Sequence, residues 1–95
     1  MADKKPKHSM TLCTIKSPSG NVLVKDAPVF YQGEYFAVEM TPTIAESLWD
    51  GQQQVYRMEF NQEEMKPMSC LCTHWIKTSD TEARCFFSRH EIVVK

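Results

Sequence analysis

Cys70, Cys72 and His74 recur at every second position of the run "SCLCTHWIKT". On a β-strand, alternate side chains project to the same face, so all three soft ligands would share one side. Three kinds of chemistry use such a set. It could hold a zinc ion, pair a thiolate with an imidazole, or be the buried side of a sheet in which cysteine is a small hydrophobe. Downstream, "ARCFFSRHEIVV" adds Cys85 and His90. A hairpin turning around Asp80 sets position 70 opposite 90 and 74 opposite 86. Slipped by one residue, it brings Cys85 to the face of His74 instead.

The candidate metal set is therefore Cys70, Cys72, Cys85 and His90. Its spacing argues against it. Structural zinc sites take paired ligands from a tight C-x₂₋₄-C turn that wraps the ion. A C-x-C pair on a straight strand holds its sulfurs roughly 7 Å apart, too far for both to reach one ion at about 2.3 Å. No Gly or Pro between positions 69 and 95 supplies a bend. A cysteine enzyme would pair Cys70 with His90 or Cys85 with His74. No nucleophile elbow, Gly-rich oxyanion loop or third orienting group accompanies either pair. P-loop, dinucleotide, HExxH and paired-carboxylate motifs are also missing. No catalytic residue and no cofactor is assigned, and the cysteines are read as core.

The elements that position these residues follow from pattern. "MTLCTIK" and "VLVK" read as strands joined by the turn "SPSGN". "DAP" (26–28) breaks the run, because Pro28 disfavours helical backbone at the preceding residue. "VFYQGEYFAVEM" reads as a hairpin turning at Gly33, with Phe36, Val38 and Met40 on one face and Tyr35, Ala37 and Glu39 on the other. "TPTIAESLWDG" is the one helix: Thr41 can cap it, Pro42 suits its first position, and Ile44, Ala45, Leu48 and Trp49 form one apolar stripe. "VYRMEFN" alternates again, with Tyr56, Met58 and Phe60 on one side. The two cysteine-bearing strands follow a polar loop. The fold class is α+β, mainly antiparallel, a curled sheet or small partly open barrel with one short helix, in the order ββ-ββ-α-βββ.

The chain of 95 residues makes one domain at 10–95 behind a basic tail at 1–9. Its hydrophobic share of 42% suits a folded core without staples. Lys4, Lys5, Lys7 and Asp3 fall in the tail. Setting them aside from 11 basic and 12 acidic residues leaves 8 and 11, so the body is mildly acidic. That balance disfavours a dedicated nucleic-acid binder. The N-terminus lacks the apolar run of a secretory signal, and nothing approaches a membrane span of about 20 residues. The expected compartment is the cytoplasm, where thiols stay reduced.

The remaining signal is aromatic. Phe86 and Phe87 must point to opposite faces of a strand, and one helix covers only one face. Tyr31, Tyr35, Trp75, Phe87 and Arg89 are the candidate interface residues, since aromatic and arginine side chains are enriched at interface centres. The expected activity is non-enzymatic binding of another protein through an aromatic sheet face or an edge strand, with a homodimer as one form. Adaptor, accessory and inhibitor proteins, including those of phages and mobile elements, are of this size by analogy only. The alternatives are single-stranded nucleic acid on the aromatic face and a small zinc module.

Overall fold

A computed structural model of the chain describes residues 11–90. The expected basic tail, and the last residues of the final apolar run, lie outside the described residues.

Six strands and one helix follow in the order β1 (Leu12–Lys16), β2 (Val22–Gln32), β3 (Tyr35–Met40), α1 (Pro42–Leu48), β4 (Gln54–Phe60), β5 (Met68–Lys77) and β6 (Ala83–Ser88). Every pairing is antiparallel, and the sheet closes into a barrel in the order β1-β2-β3-β6-β5-β4. Two three-stranded meanders, β1 to β3 and β4 to β6, are thus joined by the helix and sealed along two seams. At one seam β3 lies against β6; at the other Cys13–Lys16 lie against Arg57–Phe60. On the outside of that second seam Lys16 Nζ sits 3.1 Å from Glu59, with Arg57 on the same carboxylate. The hydrogen-bonded Lys16 holds the Glu59 carboxyl below its ordinary pKa.

The expectation of a mainly antiparallel curled sheet or small barrel with one short helix holds, the sheet closing fully, and the element order is corrected. "DAP" does not separate two strands: β2 runs unbroken through it, so the order is βββ-α-βββ. Bulges absorb the segment instead. Between its pairs with Cys13 and Ile15, β2 spends two residues where β1 spends one. Asp26 takes φ +56° there, a left-handed conformation that Asp tolerates, and its N–H donates to Thr14 Oγ1 at 3.3 Å.

Local chemistry explains the rest. The first hairpin turns at Gly20, φ +100°, whose N–H donates to the Ser17 carbonyl. Thr41 caps the helix by accepting from the Ile44 N–H at 3.2 Å, with Pro42 at the first helical position. The apolar stripe drops onto the barrel, burying Ala45 and Leu48, with Ile44 and Trp49 packed at its sides. Tyr56 ties down the helix end by donating to the Leu48 carbonyl at 2.6 Å.

Six strands enclose a narrow interior, less than the eight that leave room for ordinary side chains. The filling is accordingly mixed in size. Phe87, Ile15 and Met58 are fully buried beside Cys13, Cys70, Cys72, Cys85 and Ala83. Truncating the largest of these leaves a hole the rigid wall cannot close. Phe87→Ala should cost about 3–5 kcal/mol, read as a lowered denaturant midpoint with an unchanged slope.

Candidate functional site

The three soft ligands do not share a face. Cys72 pairs with Phe87, but the next pair is His74 with Phe86, so β5 spends one residue more than β6 at this point. Thr73 is the extra residue, and the bulge reverses the parity of everything after it. Cys70 and Cys72 point into the barrel, His74 points out, and Trp75 points in opposite Cys85. The Thr73 hydroxyl donates to the Phe86 carbonyl at 3.1 Å, satisfying an acceptor that the broken ladder leaves over. Its oxygen also lies 2.9 Å from His74 Nδ1. The single hydroxyl proton is used on Phe86, so Nδ1 donates to the threonine oxygen and the ring turns its Nε2 edge outward.

All four cysteines are buried inside the barrel, and none is in a disulfide. Burial pushes the Cys13 thiol up from 9.0 to about 12. A hydrogen bond shared with Cys72, and then burial, hold Cys85 far above its ordinary range. Burial also raises Tyr56. Such thiols are packing atoms, unlike the partly exposed, electropositive settings of reactive ones. The register expected for position 74 against 86 is right, but the bulge prevents the pairing of Cys70 with His90. His90 is exposed at the barrel rim, 3.7 Å from Glu34. The set Cys70, Cys72, Cys85 and His90 is therefore not assembled. Among the described residues no group of three or more His, Cys, Asp or Glu side chains is placed to share a metal ion.

What the bulge does assemble is an aromatic layer on the outer wall. The register aligns Phe30, Ala37, Phe86 and His74 in one row across β2, β3, β6 and β5. Phe86 points outward yet is only 6% exposed, because its own neighbours cover it. The His74 ring stacks on it in parallel at 4.6 Å, and Tyr35 meets both rings edge-on. Ala37 is fully buried beneath, its small side chain leaving room for the rings on either side. In the adjacent row Arg84 lies over Phe30 at 5.5 Å and binds Glu39 at 3.2 Å, with Ile76 beyond it. Phe30, Tyr35 and Ile76 remain 38%, 37% and 47% exposed.

Of the five interface candidates, Tyr35 belongs to this layer. Tyr31 and Arg89 form a separate stack at the barrel rim, the guanidinium 4.8 Å above the ring and bonded to the Gly33 carbonyl. Phe87 and Trp75 are corrections. Phe87 is fully buried, and Trp75 packs half-buried on the core, because both fall on the inward parity. Phe30, His74, Arg84 and Phe86 belong to the layer but not to the five interface candidates read from the sequence. The signal for Phe86 was present: Arg84 and Ser88 share its parity and are polar, whereas Ala83, Cys85 and Phe87 are all small or apolar. Comparison of the chain with protein-family models, with curated proteins and with solved structures finds no match.

The inward thiols predict a defined chemistry. At pH 8 the native protein should react with a thiol reagent only as fast as it unfolds, and all four cysteines should titrate at once in denaturant. At Cys13 the folded state holds the thiol proton more tightly than the unfolded chain does. Stability should therefore be intact below about pH 9 and fall as pH rises toward about 12. Denaturant midpoints across that range measure the loss, and Cys13→Ala should reduce its slope.

Proposed function

We propose that this protein is a non-enzymatic binding module that holds another protein against its outer aromatic layer. One observation carries the reading. Phe30, Tyr35 and Ile76 stay exposed around a buried Phe86 on a face already made rigid by stacking and by the Arg84–Glu39 pair. Rings held in place lose little conformational freedom on association, so their contact area is gained at low entropic cost. The outward Nε2 of His74 and the Arg84–Glu39 pair add polar groups that orient a partner without leaving a charge unpaired.

A polypeptide suits this surface better than a nucleic acid. The face carries one guanidinium, already engaged by Glu39, and a phosphate backbone needs several cations free to displace its counterions. The interior supports the non-enzymatic part of the reading, since its thiols are buried and filled around.

The test is affinity capture from the native host with the wild-type chain and with Phe30→Ser/Tyr35→Ala. The double variant should fold with a stability change of no more than about 1–2 kcal/mol, because both rings lie outside the barrel. Proteins captured by wild type should be depleted at least about tenfold by the variant, an effect of about 1.4 kcal/mol. Equal capture by both would remove the outer layer as the binding surface.

A further inference from the structure

We propose that the barrel consists of two half-barrels that recognise each other, and that a second copy of this chain is a partner able to supply either half. The product is a dimer in which each barrel is closed by β1–β3 of one copy and α1–β6 of the other. This goes beyond the outer-layer reading and does not depend on it.

The halves are alike in build. Exchanging β1 with β4, β2 with β5 and β3 with β6 leaves the strand order unchanged, and both seams are antiparallel, as a twofold axis through them requires. The long central strands match in detail. In each, two inward side chains stand three positions apart across a bulge: Val24 and Ala27 in β2, Cys72 and Trp75 in β5. Each half is also continuous along the chain. The helix belongs to the second half, because Tyr56 on β4 donates to the Leu48 carbonyl and Cys85 on β6 lies 3.9 Å from the Ala45 carbonyl. The junction is therefore Thr41, a single residue between β3 and Pro42, held extended ahead of the proline. Short hinges favour exchange of identical elements between copies.

Charge sets which halves fit. At one seam Lys16 of the first half meets Glu59 of the second; at the other, Glu39 of the first meets Arg84 of the second. Two like halves would bring like charges to each seam, whereas an unlike half from either chain satisfies both. Exchange therefore keeps every contact between the halves and changes only the path at Thr41. The outer layer straddles the β3–β6 seam. In the dimer each layer takes Phe30 and Tyr35 from one copy and His74 and Phe86 from the other.

The test co-refolds two full-length variants. Lys16→Glu/Glu39→Lys reverses the first half, and Glu59→Lys/Arg84→Glu reverses the second. Alone, each variant sets like charges at both seams. Mixed, they can close matched barrels only by exchange. Native mass spectrometry should find the heterodimer enriched at least about tenfold over either homodimer, with a Tm above that of each variant alone. If one variant does not fold by itself, its rescue by the other is the same result. Wild type should give a dimer whose share rises with refolding concentration and which persists on dilution, since return requires opening both seams. A mixture without heterodimer, or with no gain in Tm, would overturn the proposal. So would wild type that stays monomeric at every refolding concentration, or a dimer that dissociates at once on dilution.

Discussion

Closure of the sheet is the constraint on which everything else depends. Once Cys13–Lys16 lie against Arg57–Phe60, each strand has an inside and an outside, and the inside is too narrow for uniformly large side chains. The chain answers with cysteines and alanines between Phe87, Met58 and Ile15. Cysteine is close to ideal here, being small, apolar in effect and without a strong hydrogen-bonding demand when protonated. Closure thus turns four residues with chemical potential into packing, and burial holds the proton on Cys13.

Closure also makes a sheet twist and shear, and this one accommodates the strain through bulges in β2 and β5. Each bulge coincides with a feature on the outside. The one at Thr73 turns His74 outward onto Phe86, and the hydroxyl of the same threonine satisfies the carbonyl the irregularity leaves over. Those in β2 fall where the strand pairs with β1 alone, ahead of its ladder with β3, which begins at Val29. The irregularity at Thr73 therefore also shapes the aromatic outer layer.

The outer layer inverts the usual division of a half-buried strand. Phe86 faces solvent by parity and is shielded by Tyr35, His74 and their neighbours rather than by another element. A ring cluster on a convex wall keeps its own base dry while its tips stay wet. This explains how the chain carries Phe86 next to Phe87 without needing a partner to cover it, while Phe30, Tyr35 and Ile76 retain area to offer one.

Much of this was legible in the residues themselves. The Gly20 and Gly33 turns, the Thr41–Pro42 helix start, the apolar stripe of the helix and the two faces of β3 and β4 are all local, set by backbone preference and by hydrophobic alternation within a few positions. Parity beyond Cys72 and continuity across "DAP" were decided elsewhere. A bulge is chosen by the partner strand and by the twist a closed barrel demands, and it leaves no composition signal at Thr73. One inserted residue moved His74 away from the cysteines and sent Trp75 inward, so the apparent ligand cluster came apart. Local pattern along the chain sets which segments extend and which side of most strands is apolar. Which side chains meet is set in the closed barrel, because meeting depends on register, and register belongs to pairs of strands rather than to either one.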